Sequence, residues 1–309
     1  MNGRQRIFKV GAIHHIYQRT IDGYLIFYDK RDFLVLFTLI CTTARKYNIK
    51  VLGICLMLDH IHLLVKASSK ADLSAFVRDY TCRFSRQRNI RYQRKGDFFR
   101  HRFGSAPKVD EKKARTAIAY LYNNPVEKKL CAKAEEFQWN FLNYSNNSHP
   151  FSEPLKIRSA RRVMRRAVTE VRTLRETDNP MGYDFIERVI KGLSVREIRQ
   201  LTDYIVNCYN CVDYQELSSF YEDFETLLIA VHSNTGSEYQ IKEEITQGSD
   251  TIFLKMASVI KKMTHHKDMR EVLALPDLDK RRIAWILSAE TGATPRQISK
   301  FLQISLSKE

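Results

Sequence analysis

The sequence has no apolar run long enough to cross a bilayer. Its longest, Phe33 to Cys41, falls far short of the ~20 residues that a membrane helix needs. The opening MNGRQRIFKVG lacks the apolar core of a secretory leader. A glycine-2 acylation pattern and a carboxy-terminal cysteine box are both missing. Together these lacks predict a cytoplasmic protein with no membrane partner. No phosphate-cradling glycine motif is present, so a nucleotide cofactor is not expected. The six cysteines are scattered at positions 41, 55, 82, 131, 208 and 211, mostly inside apolar segments, as reduced core thiols are. Cys208 and Cys211 make one C-x-x-C without a second pair or nearby histidines, which reads as part of a helix before it reads as a zinc site.

Acidic residues are also in deficit: 35 Asp and Glu against 51 Lys and Arg, a net charge of +16 in 309 residues. Such a surplus favours a polyanionic partner, with nucleic acid the default. The hydrophobic content, 44%, is ordinary for a globular chain and allows one large domain or two modest ones.

The stretch that organises the chain is Val51 to Lys66, VLGICLMLDHIHLLVK. Its apolar, β-rich composition predicts a strand buried on both faces. His60 and His62 are two apart and so leave the same face, about 7 Å from one another. Two imidazoles on one face of a buried strand need a polar partner there. A divalent metal is the simplest, although one core histidine beside one strand-end histidine would give the same pattern.

Around this stretch, residues 9–20 alternate as a strand. His14 and His15 within it point to opposite faces, in structural or DNA-facing roles. Asp29 caps a helix that runs to about Tyr47, and another helix opens at Ala71-Asp72-Leu73. Strand, helix, strand, helix suggests an antiparallel sheet packed against helices, a ferredoxin-like α+β arrangement.

Arg78 to Arg102 is the densest basic segment. Arg78, Arg83, Arg86, Arg88, Arg91, Arg94, Lys95, Arg100 and Arg102 are interleaved with Tyr80, Phe84, Tyr92, Phe98 and Phe99. Cations that track phosphates and rings that stack on bases are the pattern of single-strand binding. A solvated helix face over core aromatics is the alternative. Residues 110–122 read as a helix, and Pro125 disfavours helix in the residue before it. Tyr120 and Asn124 share a side if that helix persists to Asn124.

Asn146 to Pro154 reads as a linker, dividing 1–150 from a helical region over 151–309. Arginines recur at helical spacing over 156–175, either as a second phosphate-contacting surface or as a solvated connector. Leu193 to Tyr209, with a capping box at Ser194 and Glu197, and Tyr214 to His232 predict amphipathic helices. Ser233 to Glu238 is a polar turn whose hydroxyls suit phosphate or an ordinary loop equally. Lys280 to Ala289 predicts a helix that stops at Gly292. Thr294-Pro295-Arg296-Gln297 then starts another. Arg296, Gln297 and Lys300 fall on its exposed side. This pattern near 280–305 is that of a helix-turn-helix for duplex DNA, or of a plain helical hairpin.

Four stretches in this order carry a family resemblance: GAIHHIYQRT, CLMLDHIHLLV, KGDFFRHRFGS, and AIAYLYNNPVEKKL followed by FQWNFLNYS. With them, residues 1–150 resemble the HUH-type single-tyrosine transposases, and the REP-associated tyrosine transposases within that group. The carboxy-terminal half resembles longer members that end in a helix-turn-helix. The resemblance implies that His60 and His62 bind metal, that Asn124 completes the metal site and that Tyr120 is the nucleophile. Tyr122 is the rival phenol, but only Tyr120 keeps the four-residue spacing to Asn124. The family's usual Pro-Asn before the first histidine is Leu58-Asp59 here, which leaves the local strand geometry open.

Two imidazoles and an amide oxygen suit Mg²⁺ or Mn²⁺, with water in the remaining positions. The implied reaction is nicking and joining of single-stranded DNA, with palindromic repeat hairpins as the partner, through a 5′-phosphotyrosine. Two other readings fit the same residues: a non-catalytic regulator that binds repeat hairpins, and a nuclease that uses water as nucleophile. Monomer and homodimer are both open.

Overall fold

The computed structural model describes residues 7–100, 103–233, 250–263 and 268–306. Its first half is built as β1 (Ile13–Arg19), α1 (Lys30–Lys46), β2 (Lys50–Leu56), β3 (His60–Lys66), α2 (Lys70–Arg91), β4 (Gly104–Lys108) and α3 (Glu111–Glu127). The four strands form one antiparallel sheet in the order β2-β3-β1-β4. That connectivity and order are those of the ferredoxin-like βαββαβ arrangement.

The stretch Val51 to Lys66 is a hairpin and not a single strand. The chain turns at 57–59, where Met57 N–H bonds the carbonyl of His60 at 2.9 Å. Glycine, proline and asparagine are missing there and Asp59 is the one turn-favouring residue, so composition gave little sign of the break. The turn is held from outside instead: the Leu58 carbonyl accepts from Ile26 N–H at 2.8 Å and from Phe27 N–H at 3.3 Å. Strand β4, GSAPK, carries no apolar alternation either, and it forms by pairing with β1.

Alternation along β3 separates two cores. Ile61, Leu63 and Val65 pack with α1 and α2, whose buried residues include Phe37, Ile40, Phe76 and Phe84. Leu64, with Leu52 and Cys55 of β2, packs under Ala117, Ile118 and Leu121 of α3. Gly53 marks a register shift between β2 and β3. A Cβ there would stand 3.3 Å from Leu121 Cδ2, so α3 lies close on the sheet. Helix α3 continues through Pro125 to Glu127. The proline is one turn from the end, where the lost N–H breaks a single bond.

The second half is helical: α4 (Arg162–Glu176), α5 (Tyr183–Ile190), α6 (Val195–Tyr209), α7 (Tyr214–Ser218), α8 (Phe224–His232), α9 (Thr251–Met263), α10 (Met269–Leu273), α11 (Asp277–Thr291) and α12 (Pro295–Leu302). Tyr214 to His232 is thus two helices, each started by its own aspartate cap, Asp213 and Asp223. The capping box at Ser194 and Glu197 opens α6 as its sequence predicts. Cys211 lies beyond the end of α6. Several arginines of 156–175 are drawn into ion pairs, Arg161 with Glu197, Arg166 with Glu170 and Arg172 with Glu176. Residues 234–238 of the polar turn lie outside the described residues.

These helices close over α1. The fully buried Asp32 carboxylate accepts from Tyr92 Oη at 2.9 Å and from Tyr183 Oη at 2.7 Å, tying α1 to the end of α2 and to α5. The stretch 146–154 is pinned as well: Phe151 N–H and Ser152 Oγ both donate to Asp203 of α6, at 3.1 and 2.8 Å. Gly292, at φ 68°, ends α11, and the Thr294–Gln297 capping box opens α12. The helical pair is as predicted, and its placement bears directly on the site. Among the described residues no helix is long and apolar enough to cross a membrane.

Candidate active site

The register of β1 against β3 pairs Arg19 with His60, Tyr17 with His62 and His15 with Leu64. One face of the sheet therefore carries Arg19, His60, Tyr17, His62 and His15 side by side. The two β3 imidazoles stand with ring centres 4.9 Å apart at 87°. His15 faces this site, and His14 on the opposite face stacks on Phe8. Helix α3 crosses the same face and turns Tyr120 and Asn124 toward the histidines. The Tyr120 ring stands edge-on to His62 at 5.7 Å and to His15 at 5.9 Å. Asn124 Nδ2 donates to His62 Nε2 at 3.2 Å. Tyr122 points the other way, into the core beneath α3, and its hydroxyl donates to the Leu52 carbonyl at 3.3 Å. Burial first pushes the Tyr122 phenol far above its ordinary value.

Both β3 imidazoles are oriented by a neighbour at Nδ1. Asp59 Oδ1 accepts from His60 Nδ1 at 2.6 Å, which fixes the tautomer with a lone pair on Nε2. The second oxygen, Oδ2, accepts from Arg19 at 2.7 Å and from Lys300 Nζ at 3.3 Å. Burial alone would raise the Asp59 carboxyl, but His60, Arg19 and Lys300 hold it well below the usual carboxylate range. His62 Nδ1 is 2.9 Å from His15 Nε2. Burial, then the neighbouring His60, His15 and Arg19, push the His62 imidazole well down, so it is neutral and able to donate a lone pair.

Among the described residues, His60 Nε2 and Asn124 Oδ1 are buried without a hydrogen-bond partner. A half-turn of the Asn124 amide would exchange Oδ1 and Nδ2 beside His62 Nε2. That half-turn would free His62 Nε2 from the amide and set the Asn124 oxygen beside it, so that with the unpartnered His60 Nε2 the three make a donor set that fits a divalent ion taking its other ligands from water and substrate. Among the described residues no group of three or more His, Cys, Asp or Glu side chains could hold a metal.

Residues 12–124 carry the signature of the IS200-like transposase family. That match supports a transposase-type activity on DNA. It covers β1 through Asn124, the whole of the cluster just described except Lys300. Among solved structures, the chain is similar to a REP-associated tyrosine transposase bound to a REP hairpin, at 14% identity and a TM-score of 0.39, over 47% of this chain and 84% of that one. No curated protein matches.

Around this segment, the basic residues divide by burial. Arg78, Arg83 and Arg86 of α2, with Lys95 and Arg100 after it, are exposed. Arg78 and Arg100 line a groove of about 530 Å³ with Ser74, Thr81, Ser85 and Asn89. The groove also touches Gln18, which alternates to the face away from the histidines. Arg94 is spent on the Gly96 and Asp97 carbonyls, at 3.3 and 2.7 Å. Arg102 lies outside the described residues.

Arg88 and Arg91 are not on the surface. Arg88 is 0% exposed and donates to the carbonyls of Leu25 and Ile26 at 3.1 Å each. The buried side chain of Arg91 pairs with Glu187. Tyr80, Phe84, Tyr92, Phe98 and Phe99 are all buried, so these rings are core and not platforms for bases. The stripe Phe76, Tyr80, Phe84, Arg88 has a spacing of four and was a visible sign that Arg88 faces inward. On α12, Arg296 is exposed, but Lys300, expected on the same exposed side, is 9% exposed and turned toward Asp59.

Composition did not single out Arg19, Tyr17 or Asp250. Arg19 and Tyr17 could be found only from the β1–β3 register. Asp250, whose N–H bonds the Lys128 carbonyl at 3.1 Å, has a buried Oδ2 without a partner. Burial and then Asp59 push its carboxyl up to about 6.

Proposed function

We propose that this protein nicks and rejoins single-stranded DNA next to a palindromic repeat hairpin, using Tyr120 as nucleophile and a divalent ion, Mg²⁺ or Mn²⁺, held by His60, His62 and Asn124. The observation that carries the reading is the convergence of a phenol from α3 and two imidazoles from β3, with His60 Nε2 and Asn124 Oδ1 buried and unpartnered. When bound, the ion would neutralise and orient the scissile phosphate.

The chain's own residues supply the rest. His15 and Asp59 hold the two imidazoles in the tautomers that present Nε2. The Tyr120 oxygen attacks phosphorus as its proton leaves to solvent. A bond from phosphorus to the phenolic oxygen forms and the bond to the 3′ oxygen breaks. The departing 3′ oxygen takes a proton from water, and the products are a 3′-OH end and a 5′-phosphotyrosine. The phosphodiester energy is retained in that ester, so a 3′-OH can reverse the step and join strands with no nucleotide cofactor. Arg78, Arg83, Arg86, Lys95 and Arg100 would track the strand, and Arg296, an exposed cation of the helical pair, would contact a duplex stem.

The test is incubation of the protein with a single-stranded repeat hairpin and Mn²⁺, followed by a denaturing gel. A slow-migrating adduct that disappears in Tyr120→Phe supports the proposal. Cleavage without an adduct would point to water as nucleophile, and binding without cleavage to a regulator.

A further inference from the structure

The α11–α12 pair reaches the histidine cluster through one side chain. Lys300 Nζ bonds Asp59 Oδ2 at 3.3 Å in a buried setting. Its stem passes Gly23, where a Cβ would be 3.7 Å from Lys300 Cε. Backbone contacts fix the helix that carries it. Leu25 N–H donates to the Lys300 carbonyl at 3.4 Å, and Tyr28 Oη to the Phe301 carbonyl at 2.7 Å.

We propose that Lys300 is a positioning residue for His60, acting through the Asp59 carboxylate. The inference rests on the reading of His60 as a metal ligand. A carboxylate that accepts an imidazole Nδ1–H sets the ring's tautomer and rotation. Gripped at Oδ1 alone, that carboxylate could swing about its own bond. Two cations at Oδ2, Arg19 from β1 and Lys300 from α12, fix its plane. A lysine buried this deeply loses solvation, and the carboxylate it bonds is the one that orients a candidate ligand.

Electrostatics alone predicts the opposite consequence. Lys300 is a positive charge beside a cation site, so its removal should tighten metal binding by Coulomb's law. Positioning predicts that removal weakens it. The sign of the change therefore separates the two.

The experiment measures Mn²⁺ binding to the full chain, without DNA, from the electron paramagnetic resonance signal of free Mn²⁺. Lys300→Met should weaken binding about tenfold, the lower end for an outer partner of a metal ligand. Lys300→Arg should restore it to within about twofold, since the charge and donors return. In an Asp59→Asn background, Lys300→Met should add nothing further, because the path through the carboxylate is already cut. Unchanged or tighter binding in Lys300→Met, or an undiminished loss in the Asp59→Asn background, overturns the proposal. Thermal melts check folding, and Lys300→Gln takes the place of Lys300→Met if the latter unfolds. His60→Ala is the control for the underlying reading. If it binds Mn²⁺ as the wild type does, the ligand assignment falls and the role of Lys300 with it. If it loses binding while Lys300→Met does not, only the role of Lys300 falls.

Discussion

Arg88 belongs, by sequence, to the most basic segment of the chain, and its burial assigns it to the fold. Arg88→Met keeps most of the volume and removes the guanidinium. Two bonds to the Leu25 and Ile26 carbonyls disappear, each 3.1 Å long. So does the stacking on the Phe98 and Tyr92 rings, at 4.2 and 4.5 Å. Hydrogen bonds from a charged donor contribute about 1.5–3 kcal/mol each, and the two carbonyls stay buried without partners. Relief of guanidinium desolvation offsets part of this. The net loss is about 3 kcal/mol, close to the usual cost of breaking a buried ionic interaction. For a chain of this size that lowers Tm by roughly 4–6 °C. Differential scanning fluorimetry measures it directly. Affinity for a repeat hairpin, measured by fluorescence anisotropy well below Tm, should stay within about twofold of wild type. A variant that melts within about 2 °C of wild type and loses tenfold in DNA affinity would refute the argument from burial.

Three further outcomes follow from the same geometry. Replacing Arg78, Arg83 and Arg86 by glutamine should weaken single-strand binding and flatten the log K against log salt slope by about 2, near 0.7 for each phosphate no longer neutralised; an unchanged slope excludes that face. Tyr122→Phe should cost about 1 kcal/mol for its hydroxyl bond and leave adduct formation intact. Asp59→Asn should destabilise the fold at neutral pH, as chemical denaturation will report. The Asp59 carboxyl lies below its unfolded value of about 4. Its contribution is therefore present above that pH and lost as pH falls through the lower folded value, so the gap between wild type and variant should close in acid. A gap that widens in acid would contradict the assignment.

Much of the candidate site was readable in the chain because it depends on short spacings. His60 and His62 share a face by strand period, and Tyr120 and Asn124 share one by helix period. The carboxy-terminal helical pair was legible from its caps, Gly292 and Thr294 with Gln297. What was not legible depends on contacts distant in sequence. The 57–59 turn is held by Ile26 and Phe27, and Asp59 is its one turn-favouring residue. Strand β4 is defined by pairing with β1 and not by pattern. Charge counting placed Arg88, Arg91 and Lys300 on the surface. Burial places them inside, each against carbonyls or carboxylates supplied by segments far along the chain.

The central claim is that Tyr120, and not its neighbour two residues on, forms a covalent bond to DNA. Mass spectrometry of the trypsin-digested protein after reaction with a single-stranded repeat hairpin and Mn²⁺ tests it most directly. The peptide from Thr116 to Lys128 holds both tyrosines, and its fragment ions separate them. The account predicts a 5′-linked nucleotide mass on Tyr120. A nucleotide on Tyr122, or cleaved DNA with this peptide unmodified, would contradict it.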